Sequence, residues 1–221
     1  SKCMTSEKLP ISVTIITKNE SVRIEAAIRS VLPFASEIIV LDSLSTDETV
    51  SISQALGAKV FVEAFRGFGQ QKNRAASLAS EEWTLNIDAD ERVSPQLEAE
   101  IRARFQSPEI KVTNGYYLPR KTWYLNRWVM HGGWYPNHLV RLARRNQSKW
   151  TEPALHEALI VTGKTEYFKN ALQHFSFPTQ RSHILKNIEY ADHARVSLSA
   201  KGKRTRIIDL TVRPLWKFFD I

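Results

Sequence analysis

Asp88 and Asp90 stand one residue apart where the run Trp83-Thr84-Leu85-Asn86-Ile87 ends. Two carboxylates so placed can hold a hard divalent cation, and that cation can hold a diphosphate. Trp83, Leu85 and Ile87 alternate as in a buried strand. In an open α/β sheet, ligands bind outside the carboxyl ends of such strands. An isolated Asp-x-Asp is more often a solvated acidic turn before a helix, so its company decides the reading. A second β-branched run, Glu37-Ile38-Ile39-Val40-Leu41, also ends in an acid, Asp42. Three carboxylates at one rim repel one another unless a cation or hydrogen-bond donors offset the charge. A nucleoside diphosphate with its metal supplies both.

The elements that must position these groups alternate in type. A strand over Ser12 to Thr17 runs into Lys18-Asn19-Glu20. A helix over about Ser21 to Leu32 follows, with Ile24, Ala27, Ile28, Val31 and Leu32 at helical spacing. After the Asp42 strand, Ser45 and Glu48 fit a capping box and predict a helix from near Thr46 to before Gly57. A strand over Lys59 to Val62, a loop with Gly67 and Gly69, and a helix over Gln70 to Leu78 lead to the Trp83 strand. Alternating strands and helices argue for a parallel sheet with right-handed crossovers. Thr17, Asp42, Asp88 and Asp90 then share one edge.

The second half is aromatic. A strand over Gly115 to Tyr124 carries Tyr116, Tyr117, Trp123 and Tyr124, and His131-Gly132-Gly133-Trp134-Tyr135-Pro136 follows shortly after. Aromatic faces pack on the C–H faces of pyranoses, and glycine lets backbone approach closely. Most of these rings read equally well as core, with Trp134 beside two glycines the best exception. Asn137 to Ala143 alternates as a strand, with Leu139, Arg141 and Ala143 on one face. Arg120, Lys121 and Arg141 are candidates for phosphate or acceptor anions, although each taken singly reads as a surface charge.

The ordered segments Thr17-Lys18-Asn19-Glu20, Asp42-Ser43-Leu44-Ser45-Thr46-Asp47, Gly69-Gln70-Gln71-Lys72-Asn73 and Asp88-Ala89-Asp90-Glu91 resemble family 2 glycosyltransferases of the GT-A fold. His131-Gly132-Gly133-Trp134-Tyr135-Pro136 and Leu155-His156-Glu157 resemble the subgroup that adds a β-1,4-glucose to an inner-core heptose of lipopolysaccharide. The resemblance runs from about Ile11 to Phe219. It implies an α/β fold with a Rossmann-like, mostly parallel sheet flanked by helices. It implies a UDP-sugar donor, a lipopolysaccharide-core lipid acceptor, inversion, and a divalent cation, Mg2+ or Mn2+. The family often has small glycines after the ribose-binding aspartate, where this chain has Leu44 and Glu48.

On this resemblance Asp90 is the metal ligand, and His174 is the second metal candidate, closing over the diphosphate, with a buried structural histidine the equal alternative. Thr17, Asn19, Glu20, Asp42, Lys72, Asn73, Asp88 and Ala89 form the nucleotide-sugar site. Asp42 meets uracil or ribose. Trp134, Tyr135, Arg120, Arg141 and His156 face the acceptor. Displacement at the anomeric carbon needs a base for the acceptor hydroxyl, and Glu157 takes that role. A polyprenyl-phosphate glycosyltransferase, a nucleotidyltransferase and a non-enzymatic basic membrane-binding module remain alternatives. The nucleotidyltransferase would release pyrophosphate, and the module would bind vesicles without binding nucleotide sugars.

At 221 residues the chain can form one domain with a substantial core. The division expected is a catalytic domain over 10–200 and a basic, amphipathic segment over 201–221. The single Cys3 excludes an internal disulfide and suits a reducing compartment. Ser1 to Leu9 reads as a polar tail without signal-peptide pattern, and no apolar run is long enough to span a bilayer. The net charge of +8 calls for an acidic partner, and nucleic-acid motifs are absent. Lys201-Gly202-Lys203-Arg204-Thr205-Arg206 precedes Ile207 to Phe219, rich in aliphatic and aromatic bulk. That combination suits an anionic membrane surface, equally a segment packed on its own domain, and predicts a peripheral enzyme on the cytoplasmic face of a bacterial inner membrane.

Overall fold

The computed structural model describes residues 7–131, 134–152 and 157–177. His156, the Gly132-Gly133 pair and the basic segment 201–221 lie outside these residues. The first half alternates strand and helix: β1 Leu9–Thr17, α1 Ile24–Val31, β2 Ala35–Asp42, α2 Thr49–Ala55, β3 Lys59–Val62, α3 Phe68–Ser77 and β4 Trp83–Asn86. The second half continues with β5 Glu91–Arg92, α4 Pro95–Gln106, β6 Gly115–Tyr124, β7 Arg127–Val129, β8 Asn137–Arg144, β9 Ser148–Trp150, β10 Leu159–Val161, β11 Thr165–Tyr167 and β12 Leu172–Phe177.

The main sheet runs β3-β2-β1-β4-β8-β6-β12-β5, with β7 and β11 also paired to β6. β1 pairs in parallel with both β2 and β4, and β2 with β3. β8 is the antiparallel strand inserted between β4 and β6. The strand order reverses direction at β1, where one crossover leads to β2 and the later one returns to β4. That reversal opens a crevice at the carboxyl ends of β1 and β4. The register places Thr17 beside Asp42 and Thr14 beside Asn86. The three loops that follow β1, β2 and β4 therefore leave the same end of the sheet.

The core explains this register. Ile11, Val13 and Ile15 alternate along β1 and are fully buried, as are Ile39, Val40 and Leu41 on β2. β1 and β2 are covered on both faces, as parallel strands are. Helix α1 turns Ile24, Ala27, Ile28 and Val31 inward. Full burial of each of its two isoleucines stabilises by roughly 1.5–3 kcal/mol. On β4, Trp83 packs edge-on against Phe105 of α4 and tilted on Tyr116 of β6.

Three local expectations change. β1 begins at Leu9, whose N–H donates to Phe34 O at 2.7 Å, so the polar N-terminal tail is shorter than its composition suggests. Helix α1 starts at Ile24 rather than Ser21. The capping box at Ser45 and Glu48 does not form, and α2 starts at Thr49. The Ser45 hydroxyl is already committed, donating to Asp42 and accepting from the Asn19 N–H. Asp47 satisfies the helix start instead, accepting from the Thr49 N–H at 3.0 Å. Helix α4, which periodicity did not single out, has Ser94 as its cap, accepting from Leu97 N–H at 3.2 Å, and Pro95 in its first turn.

Candidate active site at the carboxyl end of the sheet

The loops after β1 and β2 are tied to each other through Asp42. Its buried carboxylate accepts from Thr17 Oγ1 at 2.8 Å, Ser45 N at 2.7 Å and Ser45 Oγ at 2.5 Å. Asn19 Oδ1 accepts from Thr46 N at 2.8 Å, and the Glu20 and Ser21 amides donate to Thr49 and Asp47. Asn19 and Leu44 hold positive φ of 54° and 61°. Asparagine tolerates this region, whereas leucine does so at a cost on the order of 1–3 kcal/mol. Leu44 thus occupies the left-handed position that a glycine would fill freely. The Asp42 carboxylate is buried, and through these bonds it shapes the loops that border the crevice.

The acids after β4 form a charge network with partners distant in sequence. Lys72 of α3, almost fully buried, lies 2.8 Å from Glu157 and 3.3 Å from Asp88. Arg141 of β8 reaches Asn86, Asp88 and Glu91, each at 2.9 Å. Arg120 approaches Glu91 at 3.5 Å. The Asp88 N–H donates to Glu91 Oε2 at 2.9 Å, closing the tight turn between β4 and β5. Burial opposes ionisation of Asp88, but Arg141 and Lys72 hold its carboxyl well below the usual range. Glu91 is fully enclosed, and burial pushes its carboxyl up despite Arg141. Burial works against the charge on Arg141, yet Asp88 and Glu91 hold its guanidinium above its ordinary value. Removing one partner from a buried pair costs about 3–5 kcal/mol, so the network fixes the turn that carries Asp90.

Asp90 is mostly shielded from solvent, and its Oδ2 lies 3.4 Å from His174 Nε2. Thr122 Oγ1 sits 3.2 Å from His174 Nδ1 and orients the ring from its other side. The Phe175 N–H donates to Asp90 O at 2.8 Å, pinning β12 to the acidic turn. A carboxylate and an imidazole so close together fit a divalent cation such as Mn2+. Among the described residues, no three His, Cys, Asp or Glu side chains gather around one point. A cation here would draw only part of its coordination from Asp90 and His174, leaving oxygens of a diphosphate and water to complete it.

The segment Gly69-Gln70-Gln71-Lys72-Asn73 has a structural explanation. A Cβ on Gly69 would stand 2.0 Å from Thr151 O, so glycine lets α3 lie against the backbone that leads towards Glu157. Asn73 spends both ends of its amide on that chain. Its Nδ2 donates to Trp150 O and Glu152 Oε1, each at 2.9 Å, and its Oδ1 accepts from Trp150 N at 2.9 Å. Both Nδ2 and Oδ1 of Asn73 are thus engaged by the chain around Trp150 and Glu152. The Lys72 ammonium also lies 4.5 Å from the centre of the Trp150 ring. Lysine and asparagine, adjacent on α3, dock the segment that follows β9.

Other expected residues divide. Ala89 packs into the core and turns no side chain to a nucleotide. Arg141, expected to face acceptor, is buried and holds acids instead. Arg120 is partly shielded beside Glu91. Glu20 forms a 3.0 Å ion pair with Arg23. Trp134 keeps 38 % of its surface exposed and lies 5.8 Å from the Tyr124 ring, while Tyr135 is half-buried. Glu91 is the member of the site to which the residue pattern gave no role, and Arg141 was expected at the acceptor rather than on the acids. The signal for Glu91 was its position three residues after Asp88, where a side chain can close a turn.

The glycosyl transferase family 2 pattern matches residues 12–161. An uncharacterized glycosyltransferase of Rickettsia conorii is 33 % identical over 218 residues, covering 95 % of this chain and 77 % of that protein. The lipopolysaccharide core biosynthesis glycosyltransferase LpsC of Rhizobium meliloti is 28 % identical over 223 residues, covering 94 % and 78 %. Among solved structures, S. aureus TarS 1–349 in complex with UDP-GlcNAc superposes with a TM-score of 0.56 at 16 % identity, over 79 % of this chain and 61 % of that one. Glucosyl-3-phosphoglycerate synthase from Mycobacterium tuberculosis, in complex with Mn2+, UDP and glucosyl-3-phosphoglycerate, gives 0.55 at 20 % identity, over 88 % and 81 %. These structures show the GT-A fold. With its family pattern spanning the strand ends and the acids of the rim, the chain belongs to glycosyl transferase family 2 and is a glycosyltransferase.

Proposed function

We propose that this enzyme moves a hexose, in the first instance glucose, from a UDP-sugar to a heptose of the lipopolysaccharide inner core, with inversion and with a divalent cation. The observation that carries the reading is the Lys72 bridge. One buried ammonium lies between Glu157 and Asp88, which supports a base beside the acidic turn. UDP and Mn2+ in the M. tuberculosis synthase and UDP-GlcNAc in TarS support the donor class and the cation. LpsC supports the acceptor class.

In this mechanism Glu157 takes the proton of the acceptor hydroxyl as its oxygen bonds to the anomeric carbon and the bond to the UDP oxygen breaks. A single in-line attack inverts that carbon. A cation held by Asp90 and His174 would neutralise charge on the departing diphosphate. Lys72 holds Glu157 in place, and Arg141 keeps the acidic turn rigid.

A thermal-shift panel of UDP-, GDP- and dTDP-sugars with and without Mn2+, followed by assay of UDP release with a heptose-containing core acceptor, tests the reading. UDP-glucose with Mn2+ is expected to stabilise the protein most and to release UDP only when acceptor is present. Preference for another nucleotide, or release of pyrophosphate, would defeat it.

A membrane location at the cytoplasmic face belongs to the same proposal. The basic run Lys201 to Arg206 and the aromatic stretch after it support it, because each basic residue near an anionic leaflet contributes about 1 kcal/mol. Co-sedimentation with anionic vesicles is expected to fall as salt rises, and to weaken when the chain is cut before Lys203. Binding that ignores salt would argue against this surface.

A further inference from the structure

A cavity of about 640 Å3 opens beside the loop after β1. Asn19, Glu20 and Arg23 form one wall, and Arg92 of β5, Trp123 of β6 and Phe175 of β12 form the other. Successive side chains on a strand face opposite sides. Glu91, Thr122 and His174 turn towards the acidic turn and its arginines. Their neighbours Arg92, Trp123 and Phe175 therefore face the other way, into the cavity.

The lining has two kinds of chemistry. The Arg92 guanidinium lies 4.1 Å from the centre of the Phe175 ring, and among the described residues no carboxylate pairs with it. An arginine stacked on a ring keeps its N–H edge available to grip a phosphate or carboxylate. Arg23 is already held by Glu20 at 3.0 Å. Trp123 packs edge-on against Trp128 at 5.0 Å, and Trp128 against Phe175 at 5.4 Å, which braces the aromatic wall. Lys121 lies 4.5 Å over the Trp128 ring and adds positive charge behind it. Braced rings offer faces for a pyranose, and the volume falls within the range of small-molecule sites.

We propose that this cavity is an acceptor subsite for an anionic saccharide unit, with Arg92, held on the Phe175 ring, on the phosphate or carboxylate and Trp123 against the sugar ring. The proposal rests on the reading above in taking the acceptor to be a saccharide. An acceptor anchored here gains binding energy, which can be used to orient its hydroxyl.

The test is calorimetry of the full chain, saturated with UDP and Mn2+, against glucose 6-phosphate, glucuronate, glucose and inorganic phosphate. Glucose 6-phosphate or glucuronate is expected to bind more tightly than either glucose or phosphate, and the tighter of the two names the anion. Arg92→Gln should weaken that binding about tenfold, the scale of one charged contact. Arg92→Lys, which keeps the charge but not the fork, should fall between, and both variants should bind UDP as the parent does. The subsite is overturned if no anionic sugar binds, if glucose or phosphate alone binds as well, if UDP competes with the probe, or if Arg92→Gln changes nothing. Probe binding by a protein that ignores UDP would sustain the subsite and sink the donor assignment instead.

Discussion

Asp90→Asn is expected to remove the dependence of UDP binding on Mn2+ and to take turnover down with it. The substitution keeps the shape of the side chain and most of its hydrogen bonding while deleting the charge that a hard cation requires. Asp88 cannot replace it, because Arg141 and Lys72 already hold that carboxylate at 2.9 Å and 3.3 Å. Glu91 cannot either, being fully buried under Arg141. Loss of an outer partner of a metal site typically costs 10–100-fold in affinity or activity, so loss of a direct ligand should cost at least about as much. Calorimetry of UDP with and without Mn2+ decides it. The parent should bind far more tightly with the ion, and the variant should bind equally weakly in both conditions. Retention of a Mn2+ effect in Asp90→Asn would remove the residue from the metal role. His174→Ala provides an independent check, since its ring lies 3.4 Å from Asp90 and should carry part of the same effect.

The order of elements in the first half was legible because alternating apolar strands and helical apolar spacing are local signals. The same signals placed Thr17, Asp42 and Asp88 at strand ends, and the parallel register confirms that these ends lie together. Local signals failed where a side chain had two possible partners. Ser45 has the right neighbour for a capping box, but Asp42 and Asn19 claim it first. Arg141 alternates on its strand like any surface charge, and only the antiparallel insertion of β8 beside β4 brings it onto Asn86, Asp88 and Glu91. The Lys72–Glu157 pair joins residues 85 positions apart, a separation over which no spacing rule speaks. Asn73 likewise reads as a polar residue on a helix near the rim, and its true partner, the backbone of Trp150, is set by tertiary packing. The short strands β5, β7, β9, β10 and β11 have only two or three residues each, too few for a period to show.

Glu157→Gln should lower turnover about 10²–10⁴-fold, the usual contribution of a placed general base, while UDP-sugar affinity stays near that of the parent. The amide can still accept from Lys72, now at 2.8 Å from Oε1, so local structure should survive, but it cannot take the proton of an attacking hydroxyl. The alternatives are poor in place. Glu91 is enclosed by Arg141, and Glu152 is exposed and engaged by Asn73 at 2.9 Å. A second variant separates chemistry from position. Gly69→Ala puts a methyl group where Thr151 O stands, so either α3 or the segment after β9 must shift. It leaves the Glu157 carboxylate intact but moves its support. Turnover in Gly69→Ala should therefore fall in step with its melting temperature, whereas Glu157→Gln, which leaves Lys72 with Asp88 as its counter-ion, should lose far more turnover than its change in melting temperature accounts for. Single-turnover rates with saturating UDP-glucose and core acceptor, read beside the two melting curves, distinguish these outcomes. Near-normal turnover in Glu157→Gln would end its assignment as the base, whatever Gly69→Ala does.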